Sequence, residues 1–187
     1  MDSTVALVVI LTALLLRTMG RTWGPPATTP LSTFLYNPSA NSSLTSQTMS
    51  DPYTFSHILH GLVFYWGLSY TSLSFDTKLL IATVLESAWE LSENTQAVID
   101  KYRSATASLG YEGDSVLNST CDILAMIAGF YLASVVSWEV SLLAFLGTEF
   151  WMAWRYRDNL TTNVLMLLLP AERTNFIKQW QLAGSVV

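Results

Sequence analysis

The chain has 187 residues, 51% of them hydrophobic and only 12% charged, with a net charge of −5. Soluble domains carry about 25% charged residues, so too little charge is present to cover a water-facing surface, and the long apolar runs read as lipid-facing. Nine Lys and Arg with no basic stripe argue against a nucleic-acid surface, and a single cysteine, Cys121, excludes an internal disulfide and any multi-cysteine metal motif.

The first apolar run, Val5 to Leu16, follows Met1-Asp2-Ser3-Thr4 without a basic residue and leads to no small-x-small cleavage site, so it reads as a retained first helix within residues 1–20. Residues 21–52 form an extramembrane loop. Pro25, Pro26, Pro30, Pro38 and a run of Ser, Thr and Asn from Arg21 to Ser50 oppose a long helix there. Asp51-Pro52 predicts the start of the second helix, which runs to about Leu73. The third runs from about Phe75 to Val98, and the polar stretch Asp100 to Asp114, with Gly110 and Gly113, reads as a loop. A fourth helix spans Ser115 to Val135 and a fifth Trp138 to Trp154, joined tightly through Ser137. Leu160 to Leu169, closed by Pro170, is too short for a standard spanning helix and reads as a re-entrant or interfacial segment. Residues 171–187 are a tail. Trp23, Trp66, Trp138, Trp151, Trp154 and Trp180 mostly fall near segment ends, where an aromatic belt belongs. The fold class is therefore all-α: a single membrane domain, a polytopic transmembrane helical bundle of about five spanning helices, with the motif-bearing part in residues 53–170.

Connectivity sorts the polar residues, because each crossing changes the side of the membrane. His57 and His60 begin the second helix on the side where the first ends. Glu86, Glu90, Glu93 and Asn94 return to that side, Asp114, Asn118 and Asp122 leave it, and Glu149, Arg155, Arg157 and Asp158 come back to it. The other side keeps Asp2, Asp76, Lys78 and Glu139. Glu86, Glu90 and Glu93 share one helical stripe, and so do Asp114, Asn118 and Asp122. A carboxylate within the bilayer costs about 2.5–3.5 kcal/mol or more unless paired or protonated, so Glu86 and Glu149 need partners or raised pKa values, with His57, His60 and Arg103 as candidate partners. Ala125 and Gly129 permit close packing beside them. Lys and Arg concentrate on the histidine side, which the positive-inside rule would place in the cytoplasm. The Ser/Thr-rich loop would suit the exterior equally, and sidedness stays open. Of the Asn-x-Ser/Thr triplets at Asn41, Asn118 and Asn159, the one at Asn118 lies inside a helix, unsuited to glycosylation.

These segments carry a resemblance. Tyr53-Thr54-Phe55-Ser56-His57-Ile58-Leu59-His60-Gly61 with Phe64-Tyr65, Glu86-Ser87-Ala88-Trp89-Glu90 with Glu93-Asn94, and Ile99-Asp100-Lys101-Tyr102-Arg103 open it. Leu109-Gly110-Tyr111, Gly113-Asp114-Ser115, Asn118, Asp122, Gly129, Arg157-Asp158-Asn159-Leu160-Thr161, Asn163 and Pro170 continue it in order. The chain resembles a family of small bacterial membrane proteins catalogued as domain of unknown function 2585. That resemblance implies a multi-pass inner-membrane protein without an assigned activity. The family's loop after the first helix is pictured with cysteines, and residues 21–50 have none. A looser pattern, His57 or His60, then Glu93 with Gln96, Arg103, and Asp114 with Asn118, is similar to VanZ-like proteins and would imply cell-envelope chemistry.

Two functions compete. One is a non-enzymatic or accessory membrane component, with the lipid bilayer and a larger membrane complex as partners, whose polar site on one face holds the bundle together. The alternative is a membrane enzyme acting on a lipid or lipid-linked cell-envelope substrate. In that reading Glu90, Glu93, Arg103, Asp114, Asn118 and Asp122 are the candidate catalytic residues, and His57, His60, Glu90 and Asp122 the candidate metal ligands. Two His at i and i+3 can face one site, and His with carboxylate suits zinc or non-haem iron, although no His-Glu-x-x-His or Glu-x-x-His motif is present and the cofactor stays unassigned. Proton or ion movement is a third reading, disfavoured by the absence of an internal repeat.

Overall fold

The computed structural model describes residues 3–106, 108 and 110–183, so Asp2 and Leu109 lie outside the described residues. Among these residues there are nine helices and no strand: α1 (Ser3–Thr18), α2 (Leu31–Leu35), α3 (Thr54–Ser69), α4 (Phe75–Glu93), α5 (Gln96–Ala105), α6 (Val116–Val135), α7 (Trp138–Tyr156), α8 (Leu160–Leu168) and α9 (Ala171–Leu182). Serines start three of the long helices: Ser74, Ser115 and Ser137 each accept a hydrogen bond from the backbone N–H three residues on. The remaining free N–H groups of α6 are met from the preceding loops. Ser115 N donates to the Ser46 carbonyl, Val116 N to Thr22 and Leu117 N to Trp23, at 2.8 to 3.1 Å. That is why the Ser/Thr/Pro-rich loop is ordered, with only the five-residue α2 in it.

The bundle is built on α3 against α6. Gly61 of α3 and Gly129 of α6 lie at the crossing, and a Cβ on either would collide with the backbone of the other helix. Small residues at both positions thus let the two backbones touch. α1 and α4 pack on this pair. Their apolar faces meet in a core of Val5, Val9, Leu79, Ala82, Ile123, Met126, Ile127 and Phe130. α7 lies at the edge, joined to α3 through Leu59, Leu62, Trp66 and Phe145, and its own buried side chains are few. α5, α8 and α9 pack together at the end where α3 and α6 begin and α4 ends.

Three boundaries differ from the sequence expectation. Asp51-Pro52 does not open α3, because Tyr53 occupies the N-cap and Asp51 is spent on the loop, its carboxylate accepting the backbone N–H groups of Ser46 and Tyr53 at 2.6 and 2.8 Å. The third helix stops at Glu93 instead of Val98. The Asn94 side chain donates back to the Glu90 carbonyl at 3.0 Å and accepts the Asp114 N–H at 2.7 Å, tying the helix end to the start of α6. The chain restarts at Thr95, so Asp100 to Ala105, the first part of the stretch expected as loop, belongs to α5, which buries Ile99, Tyr102 and Ala105. The expected tail likewise contains α9, which buries Thr174, Ile177 and Gln181.

Among the described residues one helix, α6, is by length and composition long and apolar enough to cross a membrane. α1 and α3 have 16 residues each, about 24 Å of rise against a hydrocarbon core of about 30 Å. α4 and α7 reach 19 residues but carry Asp76, Lys78, Glu86, Glu90 and Glu93, and Glu139, Glu149 and Arg155.

Candidate metal centre

Helical spacing turns Glu86, Glu90 and Glu93 of α4 and Asp122 of α6 inward, and His57 and His60 approach from the first two turns of α3. His57 Nδ1 lies 2.6 Å from Glu86 Oε1, and His60 Nδ1 lies 3.0 and 2.9 Å from the two Glu86 oxygens. One fully buried carboxylate thus gathers both imidazoles by the same ring nitrogen. With Nδ1–H donating, each Nε2 keeps its lone pair, the arrangement found behind metal-bound histidines. His57 Nε2 faces Asp122 Oδ2 at 3.8 Å, while Asp122 Oδ1 accepts the Thr54 hydroxyl at 3.0 Å. Glu90 is 1% exposed and neither of its oxygens has a hydrogen-bond partner. Its nearest cationic neighbour, His57 Nδ1 at 3.4 Å, is already engaged by Glu86.

Among the described residues three groups have ligand atoms within 4.8 Å of one another: His57, His60 and Glu86; His57, Glu90 and Asp122; and Glu90, Glu93 and Asp114. Charge does not balance among them. Glu86, Glu90, Glu93, Asp114 and Asp122 outnumber the two imidazoles, and among the described residues the ion pairs involve only these histidines, no Lys or Arg. A buried carboxylate excess of this kind is relieved by protons or by a cation.

Residues at the rim hold the outer carboxylates. Asp114 Oδ2 accepts from Tyr111 at 2.8 Å and from Asn94 at 3.0 Å, and the Tyr102 hydroxyl lies beside Glu93. Burial, then the nearby carboxylates, pushes the Tyr102 and Tyr111 hydroxyls well above the usual phenol range, so both remain donors. Burial also raises the Asp114 carboxyl, against the hydrogen bonds it accepts. Asp158 accepts from Tyr53 at 3.1 Å, from its neighbour's backbone at 2.9 Å and from Gln181 at 3.0 Å, and burial pushes its carboxyl up to about 6. A cavity of about 1140 Å³ opens over the cluster. His57, His60, Glu93, Asp114 and Asp122 line it together with Trp89, Leu160 and Val164, whereas Glu86 and Glu90 lie behind them.

Other sequence candidates fall elsewhere. Arg103 does not reach the carboxylates: its Nε donates to the Tyr111 carbonyl at 2.5 Å, bracing the loop that carries Tyr111. Asn118 lines the cavity but its amide is spent on the Thr48 carbonyl at 3.1 Å. Glu149 meets neither histidine nor Arg103, because it accepts the first N–H groups of α8, Leu160 and Thr161, at 2.9 and 3.0 Å. On the opposite side Asp76 and Glu139 are exposed and Lys78 is half-buried. Thr54, Asn94, Tyr102 and Tyr111 complete the site and were not read as candidates. The signal was their nearness in sequence to the charged stripes, since polar groups that orient buried carboxylates have no spacing rule of their own.

Residues 16–183 match the family described as Protein of unknown function (DUF2585). The chain belongs to this family. The match takes in every residue of the centre, from His57 to Asp122, and all of the cavity lining. A UPF0314 protein of Sinorhizobium fredii is 53% identical over 144 residues, covering 75% of this chain and 71% of the relative. UPF0314 proteins of Paracoccus denitrificans, 47% identical over 179 residues and 95% and 90% of the two chains, and of Sphingopyxis alaskensis, 43% over 181 residues and 96% and 93%, extend the likeness nearly end to end. No solved structure matches. The site of this DUF2585 chain therefore has to be read from its own geometry.

Proposed function

We propose that this DUF2585 protein is a multi-pass protein of the bacterial inner membrane that binds a divalent cation through His57 Nε2, Glu90 and Asp122, and uses it on a lipid-linked cell-envelope substrate. The observation that carries the reading is Glu90: a fully buried carboxylate with both oxygens unpartnered, its ligand atom within 4.8 Å of those of His57, whose Nδ1 is held by Glu86, and of Asp122, whose Oδ1 is held by Thr54. An unpartnered buried carboxylate gathered with two ligands that are each braced from outside suits a metal site. A cation there acidifies a bound water and polarises an ester or phosphoester. His60, whose Nε2 is uncommitted and which lines the cavity, is the residue placed to move a proton. The cavity suits an amphiphile, with carboxylates and imidazoles at its floor and Trp89, Leu160 and Val164 on its wall.

The membrane reading draws on two rows of exposed apolar side chains. Leu7, Ile10, Leu11, Leu14 and Leu15 line one face of α1, and Val140, Leu143, Leu146, Phe150 and Trp154 one face of α7, with Phe150 at 75% and Trp154 at 73% exposure. Apolar stripes of that extent are costly in water and favourable in lipid. α1, α3, α4, α6 and α7 are then the spanning helices and α8 the re-entrant or interfacial one, with the loop of residues 19–53 covering the cation-binding end. The accessory reading has one observation of its own, that the α7 row also offers a face for a partner helix.

Purification in mild detergent without chelator, followed by elemental analysis, tests the proposal. Divalent metal at one equivalent per chain or more, reduced in His57→Ala and Asp122→Asn at unchanged helix content, is the expected result. Metal-free wild-type protein that cannot be reloaded by dialysis against Mn²⁺, Fe²⁺ or Zn²⁺ would overturn it and leave the accessory reading.

A further inference from the structure

We infer that the centre is dinuclear: a second divalent cation sits between Glu90, Glu93 and Asp114 and shares Glu90 with the first. The inference rests on the His57–Glu90–Asp122 reading above. Its starting point is that Glu90 belongs to both triads whose ligand atoms lie within 4.8 Å, and that both of its oxygens, not one, are buried without a donor. A single cation bound by one Glu90 oxygen would leave the other buried and unpaired. A single cation chelated by both would leave Glu93 and Asp114 crowded against Glu90 with no cationic side chain paired to them, since among the described residues no Lys or Arg forms an ion pair there and Arg21, beside Gly113, is turned to the Glu112 carbonyl. One oxygen to each cation resolves both difficulties.

The layering agrees. Glu90 lies behind the cavity wall, while its partners in the two triads, His57 and Asp122, and Glu93 and Asp114, reach the cavity. A carboxylate bridging from beneath, with terminal ligands flanking it and an open face toward substrate, is the layout of a two-cation site, in which the ions lie about 3.5–4 Å apart. The second triad is also supported from outside, with Tyr102 beside Glu93 and Tyr111 and Asn94 on Asp114. Each supporting donor engages a carboxylate that still has coordinating capacity to spare. The donor sets differ in kind. The first site has one imidazole and two carboxylates, and the second is all oxygen, which suits Mn²⁺ or Mg²⁺. The substrate class that uses such a pair is a phosphoester, whose non-bridging oxygens can span both ions.

The probe is Mn²⁺ titrated into chelator-stripped, detergent-solubilised full-length protein, with binding stoichiometry and electron paramagnetic resonance read together. Wild type is expected to take two Mn²⁺ per chain and give an exchange-coupled signal. Glu93→Gln and Asp114→Asn are each expected to drop to one, with the uncoupled six-line spectrum of an isolated ion. Asp114→Asn keeps an acceptor for Tyr111 and Asn94, and if it still fails to fold, Glu93→Gln carries the test alone. One Mn²⁺ per wild-type chain, or two retained in a folded variant, overturns the dinuclear inference and leaves the single-cation reading intact. No Mn²⁺ bound by wild type overturns both.

Discussion

Glu90 and Asp158 illustrate two different fates of a buried carboxylate in this chain. Asp158 is surrounded by donors from Tyr53, Thr162, Gln181 and the backbone of Asn159, and its role is to dock α9 and α8 against α3. Its folded-state pKa of about 6 lies above the ordinary aspartate value, so the native state holds the proton more tightly than the unfolded chain. The stability it contributes is fully present below about pH 4 and lost as pH rises through about 6, on the order of 3 kcal/mol. Thermal unfolding in detergent across that window should therefore show a falling midpoint for wild type, and a flatter profile for Asp158→Asn. An unchanged slope in the variant would mean another group is responsible. Glu90 has no donors, so Glu90→Gln should raise the melting temperature of the metal-free protein by removing a buried charge, while cancelling any stabilisation by added divalent metal. A metal-free Glu90→Gln protein less stable than wild type would indicate that the carboxylate is structurally satisfied.

At the level of elements, the boundaries legible in the sequence were those with a capping chemistry. Ser115 and Ser137 mark the starts of α6 and α7 where they were expected, and Pro170 closes α8 one residue after its last turn. α5 and α9 were not legible because their charged residues outweigh a narrow apolar face. Ile99, Tyr102 and Ala105 recur at helical spacing, but Asp100, Lys101 and Arg103 between them mimic a loop. The stop at Glu93 was hidden for a different reason, since it depends on Asn94 reaching Asp114, a contact across 20 residues. The α3–α6 crossing supplies the sharpest mutational contrast. Gly61→Ala places a methyl against the backbone of Met126 to Phe130, whereas Gly67 on the same helix has nothing within 4 Å of an added Cβ. Gly61→Ala should cost about 1–3 kcal/mol and shift His57 and His60 away from Asp122, reducing metal affinity. Gly67→Ala should be neutral or slightly stabilising. Equal melting temperatures for the two variants would show that the helices do not touch there.

For the whole molecule, the proposed membrane topology predicts an alternation of sides. Reporter fusions in residues 70–74 and 136–137 should lie on one side of the membrane, and fusions in residues 94–95 and 157–159 on the other. The protein should stay with the membrane pellet through alkaline carbonate extraction, and its release to the supernatant would contradict the bilayer reading. The gathering of the two stripes was legible because a helix that carries Glu86 and Glu90 among apolar residues must turn them away from its apolar surface. The division of labour within the cluster was not, because which carboxylate holds the histidines and which is left bare depends on angles that spacing does not encode. The most direct test of the central claim is X-ray absorption at the metal edge of the purified protein. The expected first shell is carboxylate oxygens with an imidazole nitrogen at about 2.0–2.2 Å, the imidazole contribution being lost in His57→Ala. A first shell of oxygen alone, identical in wild type and His57→Ala, would contradict it.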